Sequence, residues 1–205
     1  MPSIRLMTRT LIILLLAPLL ASCAAMVVGG AAATGLAVHD RRSFGTVVDD
    51  NLLEIRVGDA LYKNEQFDTS SRIRIHAYNG WVLLAGEVLD EARVDLATEL
   101  VREVDGVVRL FNELAAEPKA GLGRRNSDRW ISTRVKTSLG GIDELPDFDP
   151  TRVKVLTTRG TVYLMGLVSR AEGEAAVDQA RVVRGVEKVV SIFQYVEELP
   201  ETEVR

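Results

Sequence analysis

Asn79-Gly80-Trp81-Val82-Leu83-Leu84-Ala85-Gly86 returns further along the chain as Arg159-Gly160-Thr161-Val162-Tyr163-Leu164-Met165-Gly166, and this recurrence decides the fold. Working outward from it, Arg56-Val57 aligns with Arg134-Val135 and Leu61 with Leu139, while Val104-Asp105-Gly106-Val107 aligns with Val183-Arg184-Gly185-Val186. The offset is 78, then 80, then 79, so only small loop insertions separate the copies. A repeat of this length is one supersecondary unit used twice.

Each copy reads helix, strand, strand, helix, strand. Leu53, Val57, Ala60 and Leu61 recur at helical spacing. Ile73, Ile75 and Ala77 alternate, as do Val82 and Leu84, which predicts a half-buried sheet. Asn79-Gly80 between these runs is a hairpin turn signal. Leu96, Leu100 and Val104 give a second helical face, ended by Gly106 in a left-handed position, and a last strand runs from Val108 to Leu114. The second copy repeats this with Ile131, Val135 and Leu139, then Val153 and Val155, Val162 and Leu164, Ala176, Ala180 and Val183, and Val189 to Val196. The expected fold is α+β: two tandem domains, each with two helices on a three-stranded mixed sheet in the order αββαβ. Each core is small, so docking of the two would add stability.

The N-terminal end reads as a secretory signal. Arg5 and Arg9 are followed by the apolar run Leu11 to Leu20, too short for a membrane span of roughly 20 residues. Leu20-Ala21-Ser22-Cys23 resembles the lipobox of bacterial lipoproteins, in which the Cys becomes the acylated N-terminus. Cys23 is the lone cysteine, so no internal disulfide is available. Ala24 rather than Asp follows it, which by resemblance to the proteobacterial sorting pattern favours the outer membrane. Stable anchoring takes more than one acyl chain, and lipoprotein processing supplies it. The expected organisation is a signal peptide at 1–22, acylated Cys23 and a Gly- and Ala-rich tether at 23–45, a first domain at 46–116, a linker at 117–126, a second domain at 127–198 and an acidic tail at 199–205.

Chemistry-bearing constellations are scarce. The two histidines, His39 and His76, share no metal-ligand spacing, and Gly121-x-Gly123 lacks the Lys and Ser/Thr of a phosphate loop. Asp49-Asp50 suits the cap of the first helix. We therefore expect no enzyme activity, no metal and no cofactor. Without residues 1–22 the chain carries 23 basic and 29 acidic side chains, which argues against nucleic acid as a partner.

Charge is unevenly placed. Residues 46–118 hold 7 basic and 15 acidic side chains, residues 119–205 hold 14 and 13, and residues 119–139 hold 6 against 1. At about 100° per residue, Ile131, Val135, Ser138, Leu139 and Ile142 share one narrow sector of a helix expected from Ser127 to Gly140. Trp130 lies roughly 120° from that sector, with Thr133, Arg134 and Thr137. Two placements suit a flank tryptophan: buried at a domain interface, or set in a membrane interface with its ring among acyl chains and its N–H toward headgroups. The first copy has Leu52 at this position, with Glu54 and Asp59 nearby. Trp81 opens a strand and reads as packing against the fold or the neighbouring domain.

With its Gly near the end of the second strand (Gly86, Gly166) and its Val-x-Gly-Val turn, the repeated unit resembles the BON domain. Two such units behind a lipobox resemble the dual BON-domain outer-membrane lipoproteins. Other stretches carrying the likeness are Arg42-Ser43-Phe44-Gly45-Thr46, Val48-Asp49-Asp50, Gly121-Leu122-Gly123, Asp128-Arg129-Trp130-Ile131 and Val162 to Val168. The resemblance implies binding of anionic phospholipids, a role in keeping the outer membrane intact, and association with the division site. Together with the charge pattern it makes Trp130, Arg129, Thr133, Arg134, Lys136 and Thr137 the expected site for phosphatidylglycerol or cardiolipin. The alternative is an adaptor for envelope or peptidoglycan-remodelling proteins, working through the acidic first domain.

Overall fold

The computed structural model describes residues 40–145 and 147–196, and from Arg41 onward the chain forms one compact unit. The first domain comprises α1 (Phe44–Tyr62), β1 (Arg72–Tyr78), β2 (Trp81–Val88), α2 (Glu91–Arg102) and β3 (Arg109–Ala116). The second comprises α3 (Leu122–Leu139), a 3-10 turn (Pro150–Arg152), β4 (Val153–Thr158), β5 (Thr161–Val168), α4 (Arg170–Arg181) and β6 (Lys188–Tyr195). In each sheet the middle strand pairs antiparallel with the strand before it and parallel with the last one. This is the expected αββαβ unit, made twice.

The hairpins form where the turn chemistry directs. Asn79 and Gly80 have φ of 50° and 75°, and Arg159 and Gly160 have 54° and 75°. Both positions of each turn are thus left-handed, the arrangement that matches strand twist. An arginine tolerates that region poorly, and a buried carboxylate holds it there. Asp128 on α3 accepts from the N–H groups of Arg159 and Gly160, each at 3.1 Å. Asp50 on α1 accepts from Asn79 and Gly80 at 2.7 and 2.9 Å. This corrects the expected role of Asp50 as a helix cap: α1 starts at Phe44, its cap is Ser43, and Asp50 instead ties the helix to the hairpin. Gly86 has a different necessity, since a Cβ there would sit 2.0 Å from the carbonyl oxygen of Arg72.

Strand alternation places two cores per sheet. Val82, Leu84 and Val88 point to α1 and α2, where they meet Leu53, Val57, Leu61, Ala97 and Val101. On α2 the fully buried pair is Ala97 and Val101, while the expected face residues Leu96, Leu100 and Val104 pack at its edge. In the second domain Val162, Leu164 and Val168 meet Ile131, Val135, Leu139, Ala176 and Ala180. The opposite faces of the central strands are buried as well. Tyr78, Leu83, Ala85, Leu156, Tyr163, Met165 and Ile192 form a third core between the two sheets, with Trp81, Phe111, Leu167 and Val190 around it. The expectation of a half-buried sheet is therefore corrected: the central strands are covered on both sides, as their near-continuous apolar runs allow. Trp81 packs in this region as expected, 5.3 Å from the Phe111 ring. The three cores, as far as the described residues form them, lie between Leu53 and Phe193.

Two segment readings shift. α3 begins at Leu122, five residues before the expected start, so much of the segment read as linker is helix. Arg41 and Arg42, read as tether, are docked. Arg41 donates to the Leu167 carbonyl and to Glu172 of the second domain. Arg42 donates to Asp50 at 2.6 Å and lies over the Tyr78 ring. The residues 1–39, with Cys23 and the signal, and the tail 199–205 lie outside the described residues.

Candidate functional site: the outer face of α3

The sequence of α3 divides its circumference into arcs. Ile131, Val135 and Leu139 are buried on the sheet side, with Asp128 among them. The arc pointing away carries Trp130, Thr133 and Thr137. Trp130 is 66% exposed, the most open aromatic ring among the described residues. Of the two placements open to it, burial between the domains is excluded, since the inter-sheet core holds Trp81 and not Trp130. The Thr133 hydroxyl donates to the Arg129 carbonyl and the Thr137 hydroxyl to the Thr133 carbonyl, each at 3.0 Å. Their protons are thereby satisfied within the helix, so bringing this face into a less polar medium leaves few donors stranded.

The six expected residues do not form one cluster. Trp130 and Arg134 lie together, lining a shallow depression of about 350 Å³ with Ser127, Ile131, Arg184 and Gly185. Arg129 and Lys136 lie on the opposite flank of the helix. Arg129 is close enough to Arg74 of β1 that, after burial, it and Arg72 help hold the Arg74 guanidinium below its ordinary range. Lys136 borders a cleft of about 280 Å³ between the domains, which also receives Glu54, His76 and Lys154. Glu54 is itself drawn into that cleft. Burial pushes its carboxyl upward, but hydrogen bonds from His76 and the Ala77 N–H, with Lys154 nearby, hold it below the usual range.

The cationic segment 119–139 is also partly engaged within the protein. Lys119 donates to the Thr69 carbonyl, Arg125 to the Ala120 carbonyl, and Arg124 to Glu187 at 3.0 Å. Arg129, Arg134, Lys136 and Arg184 make no ion pair among the described residues. Sequence reasoning missed Arg184 because it lies on the turn after α4, far from α3 in the chain. The repeat offers the contrast. Leu52, the counterpart of Trp130, is exposed, but the equivalent depression in the first domain is lined by Asp49, Asp50 and Arg56 beside Gly106. Among the described residues no helix is long and apolar enough to cross a membrane, and no three His, Cys, Asp or Glu gather as metal donors.

The BON domain model matches residues 49–118 and again 127–197. The chain belongs to the BON-domain family. It is 36% identical to the outer membrane lipoprotein DolP of Haemophilus influenzae over 87% of this chain and 91% of that protein. It is 40% identical to a 21 kDa hemolysin of Actinobacillus pleuropneumoniae, over 77% of this chain and 80% of that one. Likeness to the osmotically-inducible protein Y of Escherichia coli is 29% over 71% and 72% of the two chains. The chain is thus a dual BON-domain protein of the DolP type, a lipid-anchored protein of the outer membrane. Within it, the depression of the second BON domain holds an exposed indole and two guanidinium groups without an ion pair among the described residues, and that of the first is lined by Asp49, Asp50 and Arg56.

Proposed function

We propose that the protein is a non-enzymatic outer-membrane lipoprotein, acylated at Cys23, whose second BON domain docks on anionic phospholipid through the outer face of α3, in support of outer-membrane integrity. The observation that carries this is the exposed Trp130 beside Arg134, which has no ion pair among the described residues. An indole suits the boundary between acyl chains and headgroups, and each cation near an anionic surface contributes about 1 kcal/mol. Arg134 and Arg184 flank the ring; Arg129 and Lys136 add to the field from the other side. Phosphatidylglycerol and cardiolipin are the expected lipids, and action at the division site belongs to the same proposal. The domain limits follow the repeat, 46–116 and 127–198, with α1 beginning at Phe44 and α3 reaching back to Leu122 within the connecting segment.

The test is flotation of the soluble chain (24–205) with phosphatidylglycerol vesicles. Trp130→Glu is expected to abolish co-flotation with an unchanged circular dichroism spectrum. Undiminished co-flotation of that variant would refute the site.

A second reading, an adaptor for an envelope protein, draws on α1. Phe44, Val48, Leu52 and Ile55 are exposed apolar residues at helical spacing on its outward side. Of the two acids expected to serve that surface, Glu54 faces the inter-domain cleft, and Asp59 is exposed and paired with Lys63 at 3.0 Å. Loss of a co-purifying envelope protein on Leu52→Glu, with lipid binding retained, would favour this reading.

A further inference from the structure

From the depression between α3 and the turn after α4, we infer that this is a seat for a single phosphodiester headgroup, with Arg134 and Arg184 as its two cationic jaws and the Trp130 ring as its apolar wall. The inference rests on the docking reading above and deepens it: the second BON domain would bind one lipid stoichiometrically, in addition to being attracted to a charged surface.

Three observations carry it. The first is convergence. Arg134 comes from α3 and Arg184 from the Val183-Arg184-Gly185-Val186 turn, and both line one depression of about 350 Å³. Neither guanidinium has an ion pair among the described residues, although acids such as Glu187 and Asp178 elsewhere in this domain take Arg124 and Arg181. Two unpaired guanidinium groups facing one concavity repel each other, and an anion with several acceptor oxygens relieves this. A phosphate offers such a set, and arginine's planar fork suits it.

The second observation is how the depression is kept open. Gly185 has φ of +98°, a left-handed position that favours glycine. A Cβ there would also come within 3.2 Å of Ile131 Cγ1 and 3.3 Å of its Cδ1. The turn therefore packs directly against α3, and the Arg184 side chain is brought alongside the helix.

The third is the internal control. The same depression exists in the first domain, where Arg56 corresponds to Arg134 and Gly106 to Gly185. There Asp49 lines the depression in place of Ser127, while Asp105 and Leu52, the counterparts of Arg184 and Trp130 in the repeat, are not on its lining. The fold alone thus makes the concavity, while the lining of the second has two cations and an indole and no acid, and that of the first has one cation with Asp49 and Asp50. A phosphodiester would be repelled from the first concavity and held in the second.

The experiment compares Arg184→Ala with Arg181→Ala, each of which removes one charge from the same end of the domain. A purely diffuse attraction worth about 1 kcal/mol per charge predicts that both weaken partition to phosphatidylglycerol vesicles by the same factor of about five. The seat predicts a loss of tenfold or more for Arg184→Ala and for Arg134→Ala, and fivefold or less for Arg181→Ala. Amide spectra of the soluble chain, titrated with monomeric dihexanoyl-phosphatidylglycerol, should show saturable shifts at Gly185 that vanish in Arg184→Ala. A parallel titration with inorganic phosphate separates the sources: shifts with the lipid alone assign a lipid headgroup seat, and shifts with both assign a seat for the shared phosphate group. No saturable shift with either, or equal vesicle losses for Arg184→Ala and Arg181→Ala, overturns the seat. Those results would leave the docking face standing if Trp130→Glu still abolished vesicle binding, so the two ideas fail separately.

Discussion

Replacing Asp128 and Asp50 separately by alanine uses the repeat as its own calibration. Asp128 is 2% exposed and gives both its oxygens to the backbone N–H groups of the left-handed Arg159-Gly160 turn. Its removal strands two donors that bond to a charged acceptor, worth about 1.5 kcal/mol each, so Asp128→Ala should cost about 3 kcal/mol. Asp50 holds the same two positions of the Asn79-Gly80 turn and in addition the Arg42 guanidinium, with both side chains of that pair almost fully buried. Breaking this buried ion pair adds about 3 kcal/mol, so Asp50→Ala should cost about 6 kcal/mol. The inter-sheet core couples the domains, so one transition is expected. For a unit of this size each kcal/mol lowers Tm by about 2–4 °C, giving drops of about 6–12 °C for Asp128→Ala and about 12–24 °C for Asp50→Ala. Thermal melts of the soluble chain followed by circular dichroism measure this. Arg42→Met in the Asp50→Ala background should recover part of the loss, because the buried positive charge goes with it. A smaller or equal cost for Asp50→Ala, or a double variant worse than the sum of the singles, would refute the reasoning.

Other outcomes follow from the same geometry. Gly86→Ala should cost more than 4 kcal/mol or prevent folding, since its Cβ would lie 2.0 Å from the Arg72 oxygen, whereas Gly121→Ser, where nothing lies within 4 Å, should raise Tm slightly by adding a cap to α3; expression and melting of both variants check this. Leu83→Ala, in the inter-sheet core, should cost about 3 kcal/mol and still give a single transition, and two separate calorimetric transitions in the parent would show the domains to be uncoupled. Glu172 is pushed up by burial, but hydrogen bonds from Arg41 and the Ser169 N–H, with the charges of Arg41 and Arg152, leave its carboxyl below the ordinary 4.5. A depressed carboxyl contributes stability above the unfolded value that is lost as pH falls from about 4.5 through its folded value. Glu172→Gln should therefore be less stable at pH 7 and show a shallower loss over that acid range in urea titrations at stepped pH.

The repeat, the αββαβ order and the hairpin turns were legible because each rests on local chemistry: period two in the strands, period 3.6 in the helices and glycine at left-handed positions. The outward placement of Trp130 was legible for the same reason, being a matter of helical angle. What the sequence hid depends on contacts between distant segments. Leu83, Ala85, Tyr163 and Met165 alternate to a second face that looks exposed until the other sheet covers it, although the unbroken apolar run was a usable signal. Asp50 suggests a cap by type, while the hairpin ties of Asp50 and Asp128 require the three-dimensional fold. The early start of α3 was masked by Gly121 and Gly123, which suggested a linker. Arg184 joins Trp130 only because the turn after α4 packs on α3, and no local pattern reports that. Likewise Arg129 and Lys136, close to Trp130 in sequence, are carried by the helix to the side facing the first domain.

The docking of α3 is tested most directly by the fluorescence of Trp130 in a Trp81→Phe background, with vesicles of phosphatidylglycerol or phosphatidylcholine bearing brominated acyl chains. A blue-shifted and strongly quenched indole with phosphatidylglycerol, and an unchanged one with phosphatidylcholine, is the predicted result. An emission maximum that stays at its aqueous position and escapes quenching on anionic vesicles would contradict the account.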